Sequence, residues 1–501
     1  MSSDGQAEHL KAYGIAFAAM KEGIAVDWLL NYEGGSFGME NDGDIADMCK
    51  QRGVTYELIS DAAYARIVKK ISAPSFNGKV VKLDQPPKIA VYTPLNKEPW
   101  DDAVTLALTY AGIPFDKIYA DQVLAGDLGK YDWLHLHHED FTGQYSKFWA
   151  NYQGAGWYQA DVATMQAIAT RNGFSKVSQL QLAVVKKIRA FVGAGGNLFA
   201  MCSATETFDI ALAAENTDIC TTPFDGDPAS PDANSKLDYT KCLAFNKFLV
   251  VTDSLSPAHS NIDYGNLPIP DTFDYFVLAT AEAKLDPITA MLCQNHVSII
   301  KGFMGQTTAF REDLLKPGVQ ILASNIPVKP ATYLYSEYNS HRAKYIHGDY
   351  KKGTWTFYGG HDPEDYRHMV GAAPTDLSRH PNSPGYRLIL NNMLLPAAKK
   401  SIAPAAHTAP ETKEVTPLVS KEDTVAAKTE MATDAENTHL LFSFPPSAPA
   451  ANNIVLVNAA GAEVFNHTYT TRNVSADISG LQPGIYQVKV NGVNTNKVVK
   501  E

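Results

Sequence analysis

The sequence predicts an α/β domain with a mostly parallel sheet, followed by a small all-β domain. Two observations lead to this prediction. Short apolar segments of strand length alternate with helical segments through most of residues 1–400, which is typical of βαβ units. From residue 401 the composition shifts to Ala, Pro, Thr, Glu and Lys, and short strands separated by turns follow from residue 439.

The first elements of the α/β domain follow from the spacing of apolar residues. Apolar positions at helical spacing predict a helix over 9–20, which Gly23 ends. A second helix over 100–110 begins at Pro99 and Asp101 and ends at Gly112. Apolar segments of strand length predict strands at 25–30, 56–59, 88–92, 115–120 and 133–137.

The centre of the domain is the short apolar segment Asn197–Met201, a predicted strand preceded by a helix over 182–192. Cys202 follows it directly, and residues 206–214 form the next helix. A cysteine between a buried strand and a helix N-terminus lies at the carboxyl edge of a parallel sheet. There the backbone N–H groups and the helix dipole favour a thiolate. Cys202 is therefore a candidate nucleophile; alternatively, it is a small buried core residue.

The remaining segments complete the predicted architecture. Residues 215–290 break the alternation and are predicted to be an insertion over the sheet edge, in which Asp225 and Asp227 form a turn or bind calcium. Strands resume at 297–300, 320–323, 344–347 and 354–358, and a helix over 386–395 closes the domain. Residues 401–438 form a disordered linker, and residues 439–501 an immunoglobulin-like β-sandwich.

Composition excludes several function classes. The chain has 501 residues and a net charge of −11, which argues against a nucleic-acid or anionic-membrane partner. No apolar run is long enough to span a bilayer. The five cysteines form no CxxC pair, so neither a structural zinc site nor a dense disulfide framework is expected. Because the chain starts without a leader pattern, we expect it to be cytoplasmic or to have lost a signal peptide.

Histidines and acidic residues cluster after the strand at 133–137. His135 and His137 face one side of this strand, and His138, Glu139 and Asp140 begin the loop that follows. These nitrogen and oxygen ligands suit zinc or another divalent ion, with His296 as a possible distant ligand. Alternatively, these histidines line a pocket through hydrogen bonds alone.

The C-terminal residues resemble a type A sorting domain of the type IX secretion system. The matching segments are 454–458 (Ile-Val-Leu-Val-Asn), Gly461, 477–486 (Asp-Ile-Ser-Gly-Leu-Gln-Pro-Gly-Ile-Tyr) and 497–500 (Lys-Val-Val-Lys). The resemblance implies that residues 439–501 engage the type IX secretion machinery. The protein would then cross the outer membrane and be attached to the cell surface or released, its signal peptide being absent from this chain.

Residues 8–400 resemble a secreted family labelled "asparagine synthetase B". The resemblance lies in residues 9–14, 26–32, 133–144, 201–205, 291–296 and 359–366. The chain nevertheless begins Met1-Ser2, without the N-terminal cysteine of true asparagine synthetases of that class, and it contains no Ser-Gly-Gly-x-Asp-Ser loop for ATP. We therefore do not expect an ATP-dependent asparagine synthetase.

The same residues resemble, more broadly, the class I glutamine amidotransferase-like superfamily, whose fold is a flavodoxin-like, mostly parallel sheet. In that superfamily a cysteine at a strand–helix elbow works with a histidine and a glutamate after a late strand. The resemblance assigns these roles to Cys202 as nucleophile, His361 as base and Glu364 as the residue that orients the base. The spacing His361-Asp362-Pro363-Glu364 is one residue longer than the usual His-Pro-Glu.

These expectations combine into one prediction with two alternatives. The chain is predicted to be a secreted or surface-attached thiol amidohydrolase of unknown small-molecule or glycan substrate, needing neither cofactor nor metal. His135, His137, His138, Glu139 and His296 are its predicted substrate-binding residues. The alternatives are a non-catalytic protein that binds a carbohydrate or small ligand, and a metal-dependent hydrolase that uses the His135/His137 cluster. A thiol mechanism requires the Cys202 sulfur and a His361 nitrogen within roughly 4 Å of each other.

Overall fold

The chain folds into two compact units, Met1–Ala406 and His407–Glu501. A computed structural model describes residues 5–94, 102–263, 275–325, 342–366, 369 and 372–398 of the first unit. In the second unit it describes residues 430–433, 439–443, 452–458, 462–469, 473–482, 484–491 and 493–500. Within these ranges no helix is long and apolar enough to cross a membrane.

Several helices of the first unit begin at a residue whose side chain accepts hydrogen bonds from N–H groups of the first turn. The helices of this unit are α1 His9–Lys21, α2 Gly43–Arg52, α3 Asp61–Ser72, α4 Ala103–Ala111, α5 Ala120–Ala125, α6 Trp149–Tyr152, α7 Gly156–Arg171, α8 Val177–Ala194, α9 Ala204–Ala213, α10 Thr222–Asp225, α11 Pro287–Leu292 and α12 Pro384–Leu394. Asp102 caps α4 through two first-turn N–H groups, and Gly112 ends the helix in the left-handed conformation.

Strands of the first unit form two sheets. They are β1 Val26–Leu30, β2 Ser36–Met39, β3 Lys79–Leu83, β4 Ile89–Tyr92, β5 Asp116–Ile118, β6 Trp133–Leu136, β7 Asn197–Met201, β8 Tyr275–Leu278, β9 Ile299–Lys301, β10 Phe310–Arg311, β11 Gln320–Asn325, β12 Arg342–Tyr350 and β13 Gly353–Tyr358. A small antiparallel sheet has the order β2-β1-β3, and the main sheet has the order β5-β4-β6-β7-β13-β12-β11-β8-β9, with β10 on β12.

The main sheet is mixed, whereas the sequence predicts a mostly parallel one. Strands β5, β4, β6, β7 and β13 are parallel to one another. From β12 onward the pairing is antiparallel. The change follows from the short turn between β12 and β13, where Tyr350 pairs with Gly353. Because only two residues separate the strands, the chain must return beside itself, and Lys351 takes a φ of 56° to do so.

The central strand β7 is buried on both faces, which explains its continuous apolar sequence. Phe199 and Met201 belong to a core that includes residues of α1, α4 and α12. Leu198 and Ala200 belong to a second core with α8 and α9. Helices therefore cover both faces of the parallel half. The carboxyl end of β7 leads into the short loop before α9.

In its described residues (215–263 and 275–290), the predicted insertion has only short elements, namely α10, β8, the start of α11 and single 3₁₀ turns, and β8 joins the main sheet. Asp225 and Asp227 pair with a lysine: Lys176 Nζ lies 2.9 Å and 2.6 Å from their carboxylates.

The second unit is antiparallel throughout the part that is described. Its strands are β14 Glu430–Thr433, β15 His439–Ser443, β16 Asn452–Val457, β17 Glu463–Tyr469, β18 Asn473–Asp477, β19 Gly484–Val490 and β20 Val493–Lys500. They form sheets of order β14-β15-β18 and β17-β16-β19-β20 around a core that includes Ile454, Leu456 and Val488. Most of the predicted linker, 401–438, lies outside the described residues.

Candidate active site

Three neighbouring strands of the parallel half end beside one another. Because β6 and β13 both pair with β7 in parallel, the residues that follow these strands meet at one edge of the sheet. His137 follows β6, Cys202 follows β7, and His361 lies three residues beyond β13. Backbone hydrogen bonds of 3.0 Å join the three ends: Cys202 N–H donates to the Gly360 carbonyl, and Ala204 N–H donates to that of His137.

The centre of the site is a histidine cluster formed by His137, His138 and His361. Each side chain offers one atom to a group in which all three atoms lie within 4.8 Å of one another, and all three residues are buried. The rings of His137 and His361 are 4.4 Å apart at their centroids, and those of His138 and His361 are 6.4 Å apart. The Glu139 carboxylate accepts the His137 backbone N–H at 3.0 Å, which fixes the loop.

A buried carboxylate, Asp102, lies behind the histidine cluster. One of its oxygens is 3.2 Å from His137 Nδ1 and the other is 3.3 Å from His135 Nε2. His135 Nδ1 also lies 3.2 Å from the Phe199 carbonyl, so both nitrogens of His135 are engaged. Nε2 of His137 has no hydrogen-bond partner among the described residues. His137 therefore presents a free nitrogen on the side away from Asp102, and His135 has a supporting role.

Charge stabilises the Asp102 carboxylate. Burial alone would raise the pKa of Asp102, but the charges and hydrogen bonds of His135 and His137 hold it well below its ordinary value. Burial lowers the pKa of His135, despite the neighbouring Asp102 carboxylate. An ionised Asp102 accepts a hydrogen bond from the Nδ1–H group of His137. This hydrogen bond selects the tautomer of His137 whose lone pair is on Nε2.

Cys202 has the backbone geometry of a strand–helix elbow. Its φ is 50°, in the left-handed region that is uncommon for residues other than glycine. The Gln306 N–H lies 3.4 Å from the sulfur. Burial raises the pKa of the Cys202 thiol to about 11, although backbone N–H groups of Gln306, Ser203 and Thr307 favour the thiolate. As the site stands, the thiol is protonated at neutral pH.

A left-handed turn, Tyr145–Lys147, closes the far side of the loop after β6. Its three φ angles are 51°, 56° and 57°, a conformation that costs of order 1–2 kcal/mol per residue. Hydrogen bonds of 2.7 Å hold it: Ser146 N–H donates to the Asp140 carboxylate, and Gln306 Nε2 donates to the Ser146 carbonyl. Gln306 thus connects this strained turn to the sulfur of Cys202.

A second buried polar cluster supports the same loops. His259 Nε2 lies 3.2 Å from the Asp140 carboxylate, and Glu206 accepts hydrogen bonds from Ser260 Oγ at 2.5 Å and Thr307 Oγ1 at 2.9 Å. Burial raises the pKa of Glu206. Burial also acts to raise the pKa of Asp140, but His259 and the Thr142 hydrogen bonds lower it overall. These contacts fix the loops around the site.

Two predicted site residues have other neighbours. The Glu364 carboxylate accepts a hydrogen bond from Tyr366 at 3.1 Å and lies 3.2 Å from His380 Nδ1. His296 packs edge-on against His9, with ring centroids 4.7 Å apart. Burial, aided by Arg387, lowers the pKa of His296 to about 4. The structure thus brings Cys202 and His361 to neighbouring strand ends, while Glu364 and His296 contact other residues.

Sequence reasoning missed Asp102, Gln306 and His259 as parts of the site. A signal for Asp102 was available, because an aspartate caps the helix that follows β4, and β4 is the parallel neighbour of β6. Gln306 and His259 lie on irregular segments outside the helices and strands. No local pattern in the chain indicates where those segments pack.

A scan against protein-family models gives one decisive observation. Residues 437–501 match the family described as "Secretion system C-terminal sorting domain". Residues 437–501 are a sorting domain. It indicates secretion through the type IX system and involvement of that system's machinery. No curated protein is similar enough in sequence to count as a relative, and no comparison supports the label "asparagine synthetase B" or the glutamine amidotransferase-like superfamily.

Solved structures show only distant likeness. Two cytoplasmic proteins, from Salmonella typhimurium and from its strain LT2, are 10% and 12% identical, with TM-scores of 0.30 and 0.32. Each match covers 61% of this chain, and 97% and 98% of the other chain. A β-galactosidase from Bacillus circulans sp. alkalophilus is 11% identical with a TM-score of 0.25, over 77% of this chain and 40% of its own. At TM-scores this low, the likenesses carry no argument about function.

Proposed function

We propose that the protein is a secreted metal-dependent hydrolase whose histidine cluster holds a divalent transition-metal ion. The observation that supports this proposal most strongly is the convergence of three buried imidazoles. Asp102 lies on the far side of His137, and His137 Nε2 has no hydrogen-bond partner among the described residues. Imidazole nitrogens suit zinc, and three protein ligands leave the open position that catalytic zinc sites have. A carboxylate hydrogen-bonded to a ligating histidine is the usual outer-shell partner.

Each residue of the site has a role in this proposal. When bound, the ion would polarise the bond to be cleaved and lower the pKa of water. Asp102 holds His137 in the ligating tautomer, and His135 keeps Asp102 in place. Glu139, whose backbone follows His138 directly, is the group we assign to accept the proton of the attacking water.

A second candidate is the thiol hydrolase predicted from the sequence, with Cys202 as nucleophile, His361 as base and Glu364 as orienter. The left-handed φ of Cys202 and the N–H groups around its sulfur favour it. Two observations favour the metal-dependent reaction instead. The pKa of the Cys202 thiol is raised, and Glu364 contacts Tyr366 and His380. The parallel strand order β5-β4-β6-β7-β13 supports the flavodoxin-like assignment under either mechanism.

We also propose that the sorting domain leaves the secreted chain attached to the cell surface, where its site meets extracellular substrates. Accessibility of the α/β unit to protease added to whole cells supports attachment, whereas recovery of the chain only in the medium contradicts it.

A hydrolysis panel separates the two mechanisms. Zinc-loaded full chain should cleave at least one member of a panel of chromogenic esters, amides and glycosides. A chelator should remove at least 90% of that rate, and added zinc should restore it. Under this mechanism Cys202→Ser retains most of the activity, because serine preserves the size of the elbow residue.

The thiol mechanism predicts the opposite pattern. Hydrolysis that survives chelation but is lost in Cys202→Ser would contradict the metal-dependent proposal and support the thiol candidate. Iodoacetamide labelling provides a second measurement. A thiol whose pKa is about 11 should react more slowly than free cysteine at pH 7.5, whereas an activated Cys202 should react much faster.

A further inference from the structure

A cavity opens beside the histidine cluster, and His138 forms part of its wall. Four aromatic side chains contribute to the lining: Tyr119, Tyr145, Phe148 and Tyr158. The cavity has about 80 Å³ of room for the centres of water molecules, several times the roughly 10–15 Å³ that one water needs. It is therefore large enough for part of a substrate, and it meets the proposed metal site at His138.

One residue of the cavity wall, Gln181, has an acceptor without a hydrogen-bond partner among the described residues. Gln181 is almost fully buried and donates from Nε2 to the Asp140 carbonyl at 3.0 Å, which fixes the orientation of its amide. Its Oε1 has no hydrogen-bond partner among the described residues. A buried acceptor without a donor costs free energy. We therefore expect this oxygen to accept a hydrogen bond from an N–H or O–H group of a ligand or water.

The wall of the cavity is acidic. Glu139, Asp140 and Asp161 contribute to the lining, and no lysine or arginine appears among its described residues. Asp140 is balanced by His259 and by backbone N–H groups. Asp161, by contrast, has no ion pair or hydrogen bond among the described residues, and burial raises the pKa of its carboxyl group.

We propose that this cavity is the substrate subsite and that it takes an organic cation, the ammonium or guanidinium group of a basic side chain. The inference rests on the proposed function, because it assigns the cavity beside His138 to the substrate. Asp161 would pair with the charge, Gln181 Oε1 would accept one of its N–H groups, and the aromatic faces would stabilise it by cation–π contact. The substrate class is then a basic peptide or a related cationic amide or ester.

Calorimetric titration of the full chain tests the inference. The probes are N-acetyl-L-arginine methylamide and its neutral analogue of nearly the same shape, N-acetyl-L-citrulline methylamide. We expect the arginine probe to bind at least tenfold more tightly. Asp161→Asn should weaken binding of the arginine probe at least fivefold without changing the affinity for the citrulline probe. Asp161→Lys should abolish binding of the arginine probe, because the new lysine supplies a cation of its own. Asp47→Asn, on the exposed face of α2, should have no effect.

Several results would overturn the inference. They are equal affinity for the two probes, an unchanged affinity in Asp161→Asn, or tighter binding of methyl β-D-glucoside than of the arginine probe. The test is separate from that of the metal site. His137→Ala should bind zinc far more weakly and still discriminate the two probes. In the wild-type chain, discrimination between the probes without zinc binding would contradict only the proposed function. Metal binding without discrimination would contradict only this inference.

Discussion

His137→Ala should weaken zinc binding to the full chain by a hundred- to thousandfold. Structural zinc sites with four ligands are worth about 10–16 kcal/mol, so each ligand contributes roughly 2.5–4 kcal/mol. His138→Ala and His361→Ala should each have an effect of the same size, because all three imidazoles belong to one cluster. Competition titration with a chromogenic chelator measures the affinity, with wild-type protein expected to bind about one equivalent.

The matched control is His296→Ala. This histidine is half-buried and was predicted from the sequence to belong to the site, but it packs against His9. Its replacement should leave zinc affinity within about twofold of the wild-type value. Equal losses in His296→Ala and His137→Ala would mean that zinc binds elsewhere or through unfolded chain, and would contradict the proposed ligand set.

Asp102→Ala should destabilise the metal-free protein by about 3 kcal/mol, the largest stability effect that we expect from a single charged residue. It removes a helix cap, worth about 1 kcal/mol, and leaves two buried histidine nitrogens without their acceptor, at a further 1–3 kcal/mol. The same substitution should weaken zinc binding about 10–100-fold. Denaturant unfolding followed by circular dichroism measures the first effect.

Asp42→Ala isolates the histidine contribution. Asp42 caps α2 through two N–H groups at 2.9 Å and 3.0 Å, as Asp102 caps α4 at 2.7 Å and 3.0 Å. Asp42, however, is only partly buried, and its hydrogen bonds among the described residues are to its own helix. We expect a loss of about 1 kcal/mol there. Equal losses at the two positions would show that Asp102 is only a cap.

The pH dependence of the Asp102 effect follows from its depressed pKa. A carboxyl whose folded-state pKa is lowered stabilises the fold at every pH above its ordinary value and loses that contribution as the pH falls through the folded-state pKa. The difference between wild type and Asp102→Ala should therefore persist from neutral pH to about pH 4 and shrink only below it.

The buried parallel strands were the most predictable part of the fold. Leu198–Met201 is apolar throughout because both faces of the strand are covered, and that pattern is visible in the sequence. Residues 56–59 have a similar composition but form no strand, and Leu58 is 66% exposed. Among the described residues no strand pairs with that segment, and pairing is a tertiary property that composition does not encode.

Only part of the site could be predicted from the sequence, for a related reason. His137, His138 and Cys202 each follow a strand closely, so their common edge can be derived from the alternation of strands and helices. Asp102 reaches the same edge from a helix cap, and Gln306 from an irregular loop, so both depend on packing. The separate roles of His135 and His137 were harder to predict. The two nitrogens of His135 lie beside Asp102 and the Phe199 carbonyl, whereas Nε2 of His137 has no hydrogen-bond partner among the described residues.

X-ray absorption spectroscopy of the zinc-loaded full chain tests the central claim most directly, because it reports the atoms bound to the ion. We predict three histidine nitrogens at about 2.0–2.1 Å and an oxygen in the fourth position, with no sulfur. A sulfur ligand at about 2.3 Å would place Cys202 or another cysteine on the metal. That result, or the absence of histidine scattering, would contradict the proposed site.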